Sequence, residues 1–120
     1  MFATLNAKVV TYSKSNVFNE DLQEMATIAK ALSHPARLAI LKFLSEQKCC
    51  ISGDISGEIP LSRTTVSQHL QELKKAGLIH GTIDGLKINY CIDKKRARIV
   101  NDLFSGFLSE IAEDKDFVCR

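Results

Sequence analysis

The stretch SGDISGEIPLSRTTVSQHLQELKKAGLIHGTIDGLKINYCI, residues 52–92, decides the fold. A short helix is expected from about Gly53 to Ile59, with Ser52 as its N-cap, Asp54 in its first turn and Pro60 as its stop. Ser62 caps a second helix, Arg63 to Ala76, whose apolar residues Val66, Leu70 and Leu73 fall at i, i+4 and i+7 and form one inward stripe. Gly77 stands where a left-handed cap ends a helix. Leu78 and Ile79 then open a strand, and Ile83-Asp84-Gly85-Leu86 reads as a two-residue type I′ hairpin. On the returning strand Leu86, Ile88, Tyr90 and Ile92 alternate with Lys87, Asn89 and Cys91, giving one buried and one exposed face. Helix, tight turn, helix and two-stranded ribbon together make a winged helix-turn-helix: mainly α, with a small β-hairpin wing.

Working outward, a helix is expected from Glu20, because Leu22, Met25, Ala26, Ala29 and Leu32 recur at three- and four-residue steps. Pro35 suits the first position of the next helix, where its missing N–H costs nothing, and His34 is a helix-cap residue. Leu38, Ile40, Leu41, Phe43 and Leu44 make that helix almost wholly buried, and Lys48 to Ile51 reads as a short extended segment. A final helix runs from about Asp93 to Glu113, with Ile99, Leu103, Phe104, Phe107, Leu108 and Ile111 on one side. That is more apolar surface than a small domain needs internally. Leu22, Met25, Leu103, Phe104, Phe107, Leu108 and Ile111 are therefore expected to form a homodimer seam. The organisation is then an N-terminal arm over residues 1–18, a DNA-binding and dimerisation domain over 19–113, and a tail over 114–120.

A chain of 120 residues is one domain by length, and at this size a dimer would add stability. No apolar run approaches a membrane span and nothing resembles a secretory signal, so a cytoplasmic protein with no membrane partner is expected. The net charge of +2 is unevenly distributed. Residues 63–98 carry eight basic against three acidic side chains, a net of +5; residues 1–62 balance, and residues 99–120 are net −3. The positive charge lies on the second helix and the wing, where a polyanion would dock.

Opposite the apolar stripe, the helix offers Arg63, Thr64, Thr65, Ser67, Gln68 and Gln71. With Ser62, the short hydroxyls at the N-terminal turn suit phosphate oxygens beside the helix's free N–H groups. Gln68 is long enough for an adenine edge, and Arg63 for a guanine edge or a phosphate. Lys87 and Asn89, with His80, suit the flanking backbone or minor groove. His69 lies beside the stripe and reads as a packed, hydrogen-bonded side chain. Double-stranded operator DNA is the expected partner. No carboxylate pair, nucleophile–base set or Gly-rich phosphate loop is present, so an enzyme is not expected. A winged-helix protein-interaction module is the rival from another class, and the +5 segment speaks against it.

The runs Ala31-Leu-Ser-His-Pro-Ala-Arg-Leu-Ala-Ile-Leu41, Leu61-Ser-Arg-Thr-Thr-Val-Ser-Gln-His-Leu-Gln-Glu-Leu-Lys-Lys-Ala-Gly-Leu-Ile79 and Asp84-Gly-Leu-Lys-Ile-Asn-Tyr90 resemble the ArsR/SmtB family of bacterial repressors over about residues 20–112. The resemblance implies a homodimer on a palindromic operator, released when a metal, metalloid or oxidant is sensed. Its two reading helices would lie about one DNA turn apart. The family's thiolate box, Cys-Val-Cys-Asp, reads Ile51-Ser-Gly-Asp54 here, and the last helix has no His for the family's zinc site. Arsenite or redox sensing is thereby favoured over zinc or nickel.

Cys49, Cys50, Cys91 and Cys119 are many for an intracellular chain of this size. In a winged helix the segment before the helix-turn-helix pairs with the returning wing strand. If Ile51 points inward, Cys50 and Cys91 lie on the outer face, with Cβ atoms about 5 Å apart when directly opposed. Lys48 and Lys87 nearby would make such thiolates reactive. Cys50, Cys91 and Cys119, with Cys49 as substitute, are the expected sensing residues, and soft sulfur suits arsenite or a thiophilic metal ion as inducer. A redox or reactive-sulfur sensor using a Cys50–Cys91 pair is the alternative, and no cofactor is expected for folding.

Overall fold

The computed structural model describes residues 17–47, 51–52, 55 and 57–114. The order of elements is α1 (Glu20–Ala31), α2 (Pro35–Ser45), β1 (Ile51–Ser52), α3 (Arg63–Lys75), β2 (Ile79–Asp84), β3 (Lys87–Ile92) and α4 (Lys94–Ala112). The strands form one antiparallel sheet in the order β1-β3-β2, with Ile51 opposite Tyr90 and Ile79 opposite Ile92.

Each helix starts on a side chain that satisfies an orphan backbone N–H. Asn19 Oδ1 accepts from Leu22 N at 2.8 Å, His34 Nδ1 from Ala36 N at 3.0 Å, Ser62 Oγ from Thr65 N at 3.2 Å and Asp93 Oδ1 from Arg96 N at 3.0 Å. Pro35 occupies the start of α2, as its fixed φ favours. α3 ends at Gly77, whose φ is +80°.

The core is built from Ile28 and Ala31 of α1, Ile40 and Leu44 of α2, Val66, Leu70 and Leu73 of α3, Ile79 and Tyr90 of the sheet and Val100 of α4, with Ile55 and Ile59 sealing one side. Each fully buried aliphatic side chain contributes about 1.5–3 kcal/mol relative to exposure. Arg96 pairs with Glu24, tying α4 to α1.

Several sequence expectations shift. In α1 the inward stripe runs through Met25, Ile28 and Ala31, while Ala26 and Ala29 face solvent. Ile28 is fully buried in the core, and burying its branched side chain removes more apolar surface from water than an alanine would. Leu38 is half exposed, so α2 buries one face only. Ser52 belongs to β1, opposite Asn89, rather than to a helix cap. Gly53, Asp54 and Ser56 lie outside the described residues. What is described of the expected helix there is a single turn, in which Ile59 N donates to Ile55 O at 3.0 Å.

The hairpin is offset by one residue. Asp84 pairs with Lys87, so Gly85 and Leu86 form the loop. Gly85 has φ +65° and no other residue type among those described has positive φ. A type I′ turn needs positive φ at both central positions, so the turn fits type II′ with Gly first. Leu86 consequently leaves the strand and is fully exposed, and Ile88 is only partly covered.

Gly77 combines a left-handed backbone with a close neighbour, since an added Cβ would lie 3.3 Å from Arg96 Nε. Gly57 has open space and no positive φ. Gly77→Ala is expected to cost about 1–2 kcal/mol in urea unfolding, and Gly57→Ala to be neutral or stabilising by up to about 1 kcal/mol. Equal effects at the two positions would contradict the assigned cap.

Candidate nucleic-acid interface

α3 is divided lengthwise. Val66, His69, Leu70 and Leu73 are buried, whereas Arg63, Thr64, Ser67, Gln68 and Gln71 are exposed along the opposite face. The side chains expected at base edges, Arg63 and Gln68, are thus both exposed. Ser62 takes the helix-cap role expected of it, and Thr65 is joined to it. Ser62 Oγ accepts from Thr65 N and donates to Thr65 Oγ1 at 2.9 Å, so this pair fixes the start of the helix.

The wing stands on the same sheet that packs against α3. Lys87 is exposed beside the loop, while Asn89 is half-buried on the central strand, set back between Ser52 and Thr82. His80 is exposed and opposite Cys91. The positive segment is partly neutralised, because Arg96 pairs with Glu24 and Lys75 with Glu72 at 3.3 Å. Of the basic residues, Lys87 keeps the position nearest the tip.

Beneath α3 lies an arrangement that joins three helices. Arg37 of α2 donates from Nε to His69 Nδ1 at 3.1 Å and from one terminal nitrogen to the carbonyls of Lys30 and Ala31, at 3.4 and 3.3 Å. The His34 and His69 rings lie 4.4 Å apart. Burial, then the neighbouring His34 and Arg37, lower the His69 pKa below the ordinary imidazole value. The geometry agrees: Nδ1 accepts from a guanidinium and cannot also carry a proton.

Cys91 is half-buried on β3 and disulfide-bonded. Cys49, Cys50 and Cys119 lie outside the described residues, so its partner does too. Ile51 packs against the core, the inward orientation expected of it. Among the described residues no group of three His, Cys, Asp or Glu side chains is placed to hold a metal ion. On the far side, Leu22, Met25, Leu103 and Phe107 line a groove between α1 and α4, rimmed by Asp21, Asp102 and Glu110. Leu108 and Ile111 are exposed and Phe104 packs inward against the core. No helix among the described residues is long and apolar enough to cross a membrane.

This geometry has close relatives. The family model of the bacterial regulatory protein, arsR family, matches residues 34–80, which span α2, α3 and the start of β2. The transcriptional regulator YgaV of Escherichia coli is 33% identical over 78 residues, covering 65% of this chain and 79% of that protein. CmtR of Mycobacterium tuberculosis is 32% identical over 96 residues, covering 79% of this chain and 78% of that protein. The chain belongs to the ArsR family. The solution structure of CmtR, a cadmium sensor, superposes with a TM-score of 0.51 at 32% identity, over 80% of this chain and 96% of that one. The homodimeric winged helix-turn-helix domain Mb0332 of Mycobacterium bovis superposes with a TM-score of 0.61 at 23% identity, over 92% and 100%.

ArsR-family members are DNA-binding transcriptional regulators. Arg37 escaped the sequence reading. Its signal was a single cation within the apolar run Ala36 to Leu41, which has to find partners when its helix packs.

A lowered His69 pKa makes stability depend on pH with a definite sign. On acidification the unfolded chain takes up the proton before the folded chain does. Stability is therefore complete above the ordinary imidazole range near pH 6.5 and declines as pH falls through it. The midpoint of thermal unfolding should fall between about pH 7.5 and 5.5, and His69→Gln should flatten that slope. Parallel slopes for the two proteins would remove His69 as the cause.

Proposed function

We propose that the chain is a cytoplasmic repressor that binds palindromic operator DNA as a homodimer and is released by chemistry at its thiols. The observation that carries the reading is the divided α3, sealed by Val66, Leu70 and Leu73 on one face and presenting Arg63, Ser67, Gln68 and Gln71 on the other. Ser62 and Thr65 order the N-terminal turn, whose N–H groups, with Thr64, suit a phosphate. Lys87 suits the flanking backbone, and Asn89, set back, follows it only if the groove edge reaches the sheet. Membership of a family of DNA-binding regulators supports the same role.

The sensing step is assigned to Cys91 with Cys50. Ile51 faces Tyr90 and Ser52 faces Asn89. Cys50 directly precedes β1 in the sequence, and Cys91 stands on the strand that pairs with β1. A peroxide would convert one thiolate to a sulfenic acid with loss of hydroxide, and the second thiol would displace water to give the disulfide. The disulfide-bonded state of Cys91 favours this redox reading. Arsenite or another thiophilic metal ion remains the second reading, since an arsenic(III) centre would take the same two thiols when reduced, releasing two waters, with Cys119 or Cys49 as a third ligand. The cadmium-sensing of CmtR supports that chemistry for a relative.

The test is a fluorescence-anisotropy titration on DNA from the chain's own promoter region. Reduced protein should bind well above scrambled competitor, with Gln68→Ala at least about tenfold weaker. Peroxide should weaken the wild type and leave Cys91→Ser unaffected, a coupling of about 1–3 kcal/mol. Binding indifferent to Gln68 would end the reading-helix assignment, and a normal peroxide response in Cys91→Ser would end the sensing assignment.

The homodimer is assigned to Leu22, Met25, Leu103, Phe107, Leu108 and Ile111, with Phe104 as inner support. Leu108 and Ile111 are more than half exposed on α4, and Leu22, Met25, Leu103 and Phe107 line the groove whose rim carries Asp21, Asp102 and Glu110. Phe107→Glu should yield monomers by light scattering while retaining the far-ultraviolet circular dichroism of the wild type. Persistent dimers would place the seam elsewhere.

A further inference from the structure

The ends of α1 and α3 and the start of α2 border an open cleft of about 270 Å³. It is lined by Thr27 and Lys30 of α1, Ser33 of the turn, Arg37 of α2, and Glu72 and Lys75 of α3. Three cations thus stand against one carboxylate. None of these residues belongs to the face of α3 assigned to DNA or to the thiol site on the sheet.

Arg37 is half-buried, and its acceptors, His69 Nδ1 and the carbonyls of Lys30 and Ala31, are all uncharged. Among the described residues no carboxylate pairs with this guanidinium or with the Lys30 ammonium. Lys75 pairs with Glu72 at 3.3 Å, which occupies one of its three donors. The carbonyl end of α1 offsets about half a charge, so the cleft stays positive. His69 feels that field: its pKa is lowered by burial first, then by His34 and Arg37. Oxyanions are the strongest partners of a guanidinium, because their oxygens match its planar donors.

We propose that this cleft binds the phosphate group of a small free ligand, inorganic phosphate or a phosphate monoester, between Lys30, Arg37 and Lys75. One terminal nitrogen of Arg37 donates to no acceptor among the described residues, and with the two ammonium groups it offers donors from three helices. A tetrahedral anion can meet donors spread in this way, whereas a carboxylate presents only a flat pair of oxygens. Thr27 adds a neutral hydroxyl to the lining. The volume lies just below the ~300–1,000 Å³ of ordinary small-molecule pockets, which keeps the ligand small. The inference goes beyond the DNA-reading function and does not depend on it. A duplex backbone presents the same phosphate chemistry, so the test separates the two sources.

The experiment is isothermal titration calorimetry of the full-length reduced protein with inorganic phosphate and with glycerol 3-phosphate, the ionic strength being held constant with chloride. Both probes should saturate a single site per chain. Lys30 and Lys75 are exposed, so Lys30→Ala and Lys75→Ala leave the core untouched, and each should weaken binding about fivefold. Glu72→Gln should strengthen binding about twofold by removing the one repelling carboxylate. Lys74→Ala, an exposed neighbour outside the lining, should change nothing. No duplex is present in this titration, so its outcome is independent of whether the chain reads DNA. Absence of binding, or equal binding by the Lys30→Ala/Lys75→Ala double variant, would refute the site and leave only a general attraction of anions to a basic surface. A smaller salt slope of duplex binding in the two lysine variants, with no binding of either free probe, would overturn the free ligand and assign these cations to a DNA backbone.

Discussion

The inward seal of α3 is the constraint on which the rest of the molecule depends. Val66, Leu70 and Leu73 are almost completely buried, and their i, i+4, i+7 spacing leaves the helix no freedom to rotate about its axis. A rotation by one residue, about 100°, would bring polar side chains into the core at several kcal/mol. The exposure of Arg63, Ser67, Gln68 and Gln71 is therefore a consequence of core packing rather than an independent feature. Function at this surface inherits its precision from the hydrophobic effect on the other side.

Polar cross-links then fix where the sealed helix sits. Arg37 spans the C-terminal carbonyls of α1 and the ring of His69 on α3. The Glu24–Arg96 pair draws α4 to α1, and Arg96 in turn lies across Gly77, where α3 ends. α1 is thus connected to the middle of α3 at His69 and to its C-terminal end at Gly77. A displacement of α1 and α4 relative to each other, as at an interface between copies, would be felt at α3 through these bonds. Burial, then His34 and Arg37, lower the His69 pKa, and its Nδ1 accepts from Arg37, so the connection is intact above the imidazole range and weakened as pH falls through it.

What the sequence made legible followed from periodicity and capping. The start of α3, its stripe, the Gly77 cap and Pro35 at the start of α2 are all local signals, and each matches the structure. What it obscured depended on nonlocal packing. Leu38 looks as apolar as Ile40, yet only one face of α2 meets the core. Leu86 continues the alternation of β3 on paper, but the loop needs two residues and Gly85 takes its first position. Arg37 and His69 are 32 residues apart, so no local pattern joins them. The one-residue offset of the hairpin changes the functional reading most, because it converts Leu86 from a core residue into the outermost point of the wing.

In the proposed sensing step, thiol chemistry at Cys91 would need no dedicated relay to the wing. β3 is the central strand of the sheet, bonded on one side to β1 and on the other to β2. It carries Lys87 at its outer end and Cys91 near its inner end, with Tyr90 between them in the core. A covalent bond at Cys91 therefore constrains the strand that holds up the wing, while the buried Tyr90 prevents that strand from sliding to relieve the constraint. The remaining freedom is a change in tilt of the hairpin relative to α3. A hairpin is a lever: its tip lies about 3.3 Å per residue beyond the anchored rung, so a small angular change at Cys91 becomes a larger displacement at Leu86 and Lys87. In the proposed homodimer, two such levers related by a two-fold axis would have to fit one duplex simultaneously. A shift that either wing alone would tolerate is thereby penalised twice, and a modest local change is enough to alter operator affinity by the fold-change that regulation requires.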